Sequence, residues 1–409
     1  MSYFRYDVAI VGAGPAGASA AIKASNEGVK VVLIDKKKEI GKPVQCGEYM
    51  PSEGEIKRLI PETSHLNNFI KLTRRFSVNK CKKIRFVSPS GSIFEFDFEA
   101  CVIDRSKFDK ELVSMAVANG CDVWTKCRAI GVDLSKNKLI VRKNERIIYV
   151  LFKVLIAADG AFSLISRNLG LEITRLEDRS PVIQSYMSGL NLEQNVCEMY
   201  WGSSYSPGGF AWIIPKGRDR ANVGLGTRIG FRKGGISMRD YLRRLIEAHP
   251  IASKKLLRGK TRSIIGGVVP VGGPIPKTQY KNVLVVGDAA GQVLAHVGGG
   301  VPTAMIAGEI AGEVVSSHIL NGTSLEGYER LWRREIGKSL GKSLLLRKIG
   351  DLFIKSDRLV DMALKIVGSE GLARLIRCDV PKSLELAVNK ALTTKKLMEK
   401  LKQIFSAVK

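Results

Sequence analysis

Gly12, Gly14 and Gly17 fall in the stretch Gly-Ala-Gly-Pro-Ala-Gly. This GxGxxG spacing can receive a pyrophosphate. The first glycine permits a tight turn, the second lets backbone approach the phosphates, and the third lets a helix pack closely on a strand. A helix starting there offers unpaired N–H groups and a partial positive charge. Asp35 ends the next apolar run, placed to accept hydrogen bonds from ribose hydroxyls. Two further acids have comparable settings: Asp159 in Ala158-Asp159-Gly160 and Asp288 in Gly287-Asp288-Ala289-Ala290. An acid at the carboxyl end of a parallel strand can hold a ribose or ribityl hydroxyl, and small neighbours leave room for the ligand.

These residues need particular elements to position them. Residues 7–11 read as a buried strand, 18–27 as a helix and 30–35 as a second buried strand. Residues 84–99 alternate around a Ser-Pro-Ser-Gly turn and read as a hairpin. Residues 106–119 read as a helix opened by a Ser cap, 138–150 as another hairpin and 154–159 as a buried strand. From about 176 to 270 the pattern becomes strands with Gly-rich turns, which predicts an antiparallel sheet inserted into the α/β part. Residues 283–288 return to a buried parallel-type strand, and a long helix follows over 302–320. Beyond 325 the chain reads as helices rich in Lys and Arg.

The chain has 409 residues, 45% of them hydrophobic and 25% charged, which excludes wholesale disorder and predicts more than one domain. Lys and Arg number 65 against 39 Asp and Glu, a formal charge of +26. The basic residues are spread along the chain, and no basic–aromatic strip supports nucleic-acid binding. Seven cysteines without a CxxC pair indicate neither a metal site nor a disulfide scaffold. With no leader-like start and no run of 18 apolar residues, the expected location is the cytoplasm, with room for peripheral contact on the inner face of the membrane.

The three glycine-and-acid segments together resemble the FAD-binding set of the glutathione-reductase-type flavoproteins, in the aromatic-hydroxylase branch. The resemblance covers about residues 1–320. It implies FAD as cofactor, Asp288 as the ribityl-contacting acid, Arg105 near the pyrophosphate and Ala129 on the adenine side. Pro43-Val44-Gln45-Cys46-Gly47-Glu48 and Phe210-Ala211-Trp212-Ile213-Ile214-Pro215, with Ala221-Asn222-Val223-Gly224 following, resemble the geranylgeranyl reductase family. Archaeal members saturate the isoprenoid chains of ether lipids, and chlorophyll-pathway members reduce a prenyl tail. Ile214 stands where the family carries an aromatic, and Ala295-His296 stand where many relatives carry a proline. The Phe-x-Trp-x-Ile-Pro stretch also resembles flavin halogenases, and the PVQCGE segment decides for the reductases.

The resemblance implies a reductase that adds hydride from flavin N5 and a proton across an isolated alkene. The expected cofactor-binding set is Gly12, Gly14, Ala16, Gly17, Asp35, Cys46, Gly47, Arg105, Ala129, Asp159, Asp288, Gly300 and Val301. The expected catalytic set is Cys46, Tyr49, Phe210 and Trp212. Cys46 reads as a proton donor or flavin gate, or as a small buried residue whose backbone touches the cofactor. Phe210 and Trp212 share one sheet face, as partners for developing positive charge or as ordinary core. Glu48 is a further candidate acid. His296 is a candidate for positioning groups near the flavin, and a lone loop histidine more commonly lies at the surface. Gly298, Gly299 and Gly300 lead into the helix at Pro302, whose N-terminus would face the flavin pyrimidine.

The expected fold is α/β: a Rossmann FAD-binding domain over 1–80, 100–175 and 270–325, an inserted antiparallel-sheet substrate domain over 81–99 and 176–269, and a basic helical region over 326–409. Residues 343–354 are amphipathic and read as a membrane-surface helix or as a cap on the substrate domain. The expected partners are a polyprenyl lipid and an electron donor, ferredoxin or NAD(P)H. Competing readings are a flavin-dependent monooxygenase or halogenase and a relative of the electron-transfer flavoprotein dehydrogenases.

Overall fold

Continuous apolar runs need cover on both faces, and alternating runs need it on one. Central strands of both sheets are buried throughout, Val31–Ile34 in one and Ala221–Gly226 in the other. In a computed structural model, which describes residues 2–171, 175–232 and 234–380, the first sheet carries the nucleotide motif. Its order is Gln279–Tyr280, Val283–Val285, Arg146–Ala157, Ser2–Val11, Val31–Ile34 and Asp122–Trp124. Ser2–Val11 is parallel to both neighbours, with Val8 opposite Val31 on one side and Val154 on the other. The expected strand at 154–159 and half of the expected hairpin at 138–150 are one strand, Arg146–Ala157. Its first half pairs antiparallel with Lys138–Lys143 through a turn at Asn144-Glu145, both with positive φ. From Ile148 onward it also runs parallel to Ser2–Val11, and its last residues pair with Val283–Val285.

Helix Pro15–Asn26 packs on helix Val301–Asn321 through small residues. A Cβ on Gly308 would lie 2.2 Å from the Ala16 carbonyl, and one on Gly312 would lie 2.6 Å from Lys23 Cβ. Only glycine allows this approach. Helix Arg105–Ala118 is capped by Asp104, not by serine: Asp104 Oδ1 accepts from the N–H groups of Ser106 at 3.1 Å and Lys107 at 3.3 Å. The Ser106 hydroxyl donates to the same oxygen. The acid wins because it accepts several donors at the positive end of the helix.

The second sheet runs Lys260–Pro270, Arg179–Ser188, Ala221–Gly226, Ala211–Pro215, Val196–Tyr200, Ser77–Val87, Ile93–Ile103 and Tyr49–Pro51. The expected hairpin is longer than 84–99 and joins this sheet. One pair departs from the antiparallel expectation, since Val196–Tyr200 runs parallel to Ser77–Val87. Two chain segments, each antiparallel within itself, meet edge to edge there. Tyr49–Pro51 follows the Cys46 loop directly, so that loop is anchored in this sheet.

One face of the sheet packs on helices Met238–Glu247 and Ala252–Leu256 through Ile213, Val223, Leu225, Tyr241 and Leu245. The other face places Ile84, Phe96, Met199, Trp212 and Ile214 in the large apolar cluster. Helices Lys338–Phe353 and Asp357–Ile376 add Leu346, Ile349, Phe353, Val360 and Leu364 to that cluster. Burying each such side chain is worth about 1.5–3 kcal/mol. The apolar face of the 343–354 segment is therefore spent on the protein interior, as a cap. Asp361 fixes the cap by accepting from the Ser90 N–H at 3.0 Å and its hydroxyl at 2.7 Å. Residues 381–409 of the expected basic region lie outside the described residues. Among the described residues no helix is long and apolar enough to cross a membrane.

Candidate functional site

The three glycines of the first loop differ in what surrounds them. Gly12 has φ +104°, and a Cβ there would lie 2.2 Å from the Ala158 carbonyl. On Gly17 it would lie 1.9 Å from the Gly12 carbonyl. On Gly14 it would meet nothing within 4 Å. Two glycines are closed by the protein itself, and the middle one faces open space where a ligand can approach. Asp35 braces this loop: Oδ2 accepts from the Ala13 N–H at 2.8 Å and Oδ1 from the Lys37 N–H at 2.7 Å. Asp159 Oδ2 accepts from the Leu164 N–H at 2.7 Å, while Oδ1 is buried without a partner. An oxygen buried without a partner among the described residues, on a segment packed against the glycine loop, fits a polyhydroxylated nucleotide. Ala129 lies farther out, half-buried beside a bulge in Cys127–Asp133.

Asp288 lies across the site in the turn after Val283–Val285. Its carboxylate has no hydrogen bond among the described residues, and burial pushes its pKa up to about 6, with Arg105 opposing. A Cβ on Gly300 would lie 3.2 Å from Asp288 Oδ1, so the glycine keeps that oxygen clear. Val301 opens helix Val301–Asn321, and Pro302 in its first turn leaves no extra N–H there. Ala16 holds this turn close, 2.8 Å from where a Gly287 Cβ would be.

Residues 43–48 form the join between the two sheets, and strands of the second sheet pin the loop at almost every residue. Gln184 donates to the Val44 carbonyl at 2.8 Å, Gln45 to the Gly266 carbonyl at 2.6 Å and Asn222 to the Cys46 carbonyl at 3.1 Å. A Cβ on Gly47 would lie 3.1 Å from the Ile214 side chain. Cys46 Sγ accepts from the Glu48 N–H at 3.2 Å. Burial pushes its thiol up, with the Arg105 guanidinium and the Glu48 N–H pulling the other way. The thiol is therefore protonated at neutral pH. Arg105, expected near a pyrophosphate, is held bidentately by Asp109 at 2.8 and 2.9 Å, beside Cys46.

Glu48 is the hub of the join. It is 1% exposed and has φ +64°, which is strained for a residue with a side chain. Its carboxylate accepts from the Arg105 N–H at 3.0 Å, the Tyr186 hydroxyl and the Lys216 ammonium. Lys216 also lies 4.8 Å from the Tyr186 ring centre. This network fixes the loop on the carboxyl side of Cys46.

Trp212 and Phe210 do share a face, with ring centroids 6.2 Å apart. The aromatic row continues through Trp201 to Phe86 at 5.7 and 4.3 Å. Trp212 Nε1 donates to Asn222 Oδ1 at 2.9 Å, and Asn222 also holds Cys46, so one amide couples the aromatic face to the loop. Tyr49 is placed differently from the expected acid. Its ring stacks on Phe98 and its hydroxyl is buried without a partner, near Cys81, Cys197 and Glu55. Burial pushes its pKa far up. The tyrosine tied to the Cys46 loop is Tyr186, whose hydroxyl donates to Glu48. His296 is no surface residue: its Nδ1 lies 2.7 Å from the Ser343 hydroxyl and its Nε2 3.3 Å from the Ile376 carbonyl. Burial pushes its pKa down to about 4, the carbonyl opposing. It ties the glycine turn at 298–300 to both capping helices.

Sequence reasoning passed over Gln184 and Tyr186, and singled out the segments holding Lys216 and Asn222 without giving either residue a role. The available signal was Gln184 and Tyr186 standing two residues apart, on one face of a strand.

A family model described as the geranylgeranyl reductase catalytic domain matches residues 178–269, and one described as FAD dependent oxidoreductase matches residues 7–149. With the glycine loop, the Asp288 turn and the two sheets, this defines an FAD-dependent oxidoreductase. A digeranylgeranylglycerophospholipid reductase of Methanocaldococcus jannaschii is 38% identical over 84% of this chain and 86% of its own. The chain belongs to the family of such reductases. A solved geranylgeranyl bacteriochlorophyll reductase-like structure from Thermoplasma acidophilum is 28% identical, with a TM-score of 0.80 over 95% of this chain and 100% of that one. A flavin-dependent brominase shares the fold alone, with 17% identity and a TM-score of 0.70 over 94% of this chain and 98% of that one.

Proposed function

We propose that this protein saturates isoprenoid C=C bonds in geranylgeranyl ether phospholipids. The observation that carries the reading is the join itself. The PVQCGE loop is fastened to the second sheet so that Cys46 lies between the Asp288 and Arg105 side and the aromatic face. Bound FAD, when reduced, supplies hydride.

The chain's own residues have separable tasks. Gly14, Asp159 and Asp288 would hold the cofactor. Cys46, kept protonated by burial, is the proton donor to one alkene carbon. Arg105 stands beside the thiol to steady the charge left after donation. Phe210 and Trp212 offer π-faces to the positive charge that develops on the tertiary carbon, worth about 0.5–2 kcal/mol. The apolar cluster excludes water and orients the tail, and orientation can supply on the order of 7–11 kcal/mol. Glu48 and Asn222 are positioning residues that set where Cys46 and Trp212 stand. Peripheral contact with a membrane surface follows from the substrate, and a nicotinamide or a ferredoxin is the expected source of electrons.

The test is anaerobic. Reduced protein incubated with a geranylgeranyl glycerophospholipid should give products heavier by two hydrogens for each double bond, read by mass spectrometry. Unchanged lipid, with oxygen uptake on an aromatic substrate instead, would reject the proposal.

A further inference from the structure

A second cavity, of about 500 Å³, lies outside the Cys46 join. It is bounded by the 175–178 turn, the 228–231 turn, Gly272 and one side of helix Lys338–Phe353. Four cations line it, Arg175, Arg228, Arg347 and Lys348, against Glu177, Asp178 and Asp351.

Two of the three acids are already engaged. Asp351 accepts from both terminal nitrogens of the 5%-exposed Arg228 and pairs with Arg347 at 3.3 Å. Asp178 pairs with Arg347 at 3.0 Å. Glu177 lies only loosely against Arg175, at 3.7 Å. Three donors remain. Arg347 Nε is buried without a partner among the described residues, Lys348 is exposed with no ion pair there, and Arg175 is largely in solvent. A buried orphan donor flanked by two accessible cations is the arrangement an oxyanion completes.

The cavity also adjoins the aromatic face. Arg228 Nε donates to the Gly208 carbonyl at 2.9 Å, and Gly208 packs against the Phe231 ring. Two residues on, Phe210 begins the aromatic row. The glycine-rich strip 207–210 thus runs from residues that line the cavity to the start of the aromatic row. A molecule with an acidic head and a hydrocarbon tail could lay the head in one compartment and the tail in the other.

We propose that this cavity is a phosphate-ester site which takes the headgroup of the lipid substrate. Arg347 Nε, Lys348 and Arg175 are its donors. The proposal rests on the prenyl-lipid reading and adds a specificity device to it: the site selects phosphorylated lipids over neutral prenyl compounds and leaves the reduction step unchanged.

The experiment uses flavin-loaded full-length protein and two substrates with the same tail, a phospholipid and a free prenyl alcohol. Lys348→Gln and Arg175→Gln change exposed side chains and should preserve the fold. Each should raise KM for the phospholipid about tenfold, the scale of one charge-assisted contact, with kcat unchanged. KM for the alcohol should not move. Equal shifts on both substrates, or none on either, would overturn the proposal. Calorimetry with glycerol phosphate provides an arm independent of turnover. Binding that weakens in both variants supports the site even if no lipid is reduced, in which case the reductase reading alone fails. Inorganic phosphate binding as tightly as glycerol phosphate would assign the cavity to the free ion and overturn the headgroup role.

Discussion

Around Gly12, Gly14 and Gly17 the site is made of backbone, from the loop itself and from Ala158 against Gly12, with one brace from the Asp35 side chain. Around Cys46 it is made of side chains that arrive from 138, 168 and 176 residues away, Tyr186 and Lys216 on Glu48 and Asn222 on Cys46. The first kind of site tolerates almost no added atom at its closed glycines and depends little on distant side chains. The second kind tolerates local change but fails when one member of its network is lost. That difference sets where each region should break.

The largest effect is expected at Gly17. Gly17→Val would place a branched side chain on the Gly12 carbonyl, so purified protein should be colourless and poorly folded, as read by visible absorbance and circular dichroism. Gly14→Ala sharpens the contrast. Its Cβ meets no protein atom within 4 Å, so the flavin-free protein should melt as the wild type does while FAD affinity falls. If Gly14→Ala melted early instead, the open side of the loop would be misassigned.

Next comes Glu48→Gln. Removing one partner of a buried ion pair typically costs about 3–5 kcal/mol, and Lys216 would be left without its counter-charge. Chemical denaturation should show a loss of that size, and turnover should fall at least a hundredfold. Pairing it with Lys216→Met should recover much of the stability but not the turnover, because the loop position is still lost. Full recovery of both would make Glu48 merely structural.

The acid limb of stability tests the tie between the glycine turn and the cap. The His296 pKa is about 4 when folded, against 6.5 ordinarily. As pH falls, the unfolded chain therefore binds the proton first. Stability from this group is whole above 6.5 and is lost as pH drops towards 4, by about 3 kcal/mol. Denaturation curves across that window should flatten in His296→Gln. An unchanged slope would mean another group controls it.

The smallest effect belongs to Trp212→Phe, which keeps a ring but loses the hydrogen bond to Asn222. A cost of about 1 kcal/mol is expected. The accompanying fall in kcat, with KM unchanged, is the signature of a misplaced ring and not of weaker lipid binding.

The same contrast explains what the chain's sequence discloses. The GxGxxG turn, Pro302 at the helix start and the hairpin turns are encoded within a few neighbouring residues, and each is present, although the hairpin strands run longer than expected. Pairings between distant segments are not. Nothing near Val196–Tyr200 announces a parallel partner at Ser77–Val87. The choice of Tyr186 over Tyr49 as the tyrosine bonded to the Cys46 loop depends on which face of the second sheet each strand presents. His296 looks like a loop residue until helices more than forty residues downstream cover it. Asp104 and Ser106 are both good caps, and only the backbone angles at Asp104 decide between them.

The central claim is that the Cys46 join presents an alkene to reduced flavin. Its most direct measurement is rapid mixing of dithionite-free reduced protein with geranylgeranyl phospholipid under argon, following the flavin spectrum. The account predicts reoxidation of the flavin by the lipid alone, in step with loss of double bonds, and severe slowing in Cys46→Ser. A flavin that stayed reduced until oxygen was admitted would contradict it.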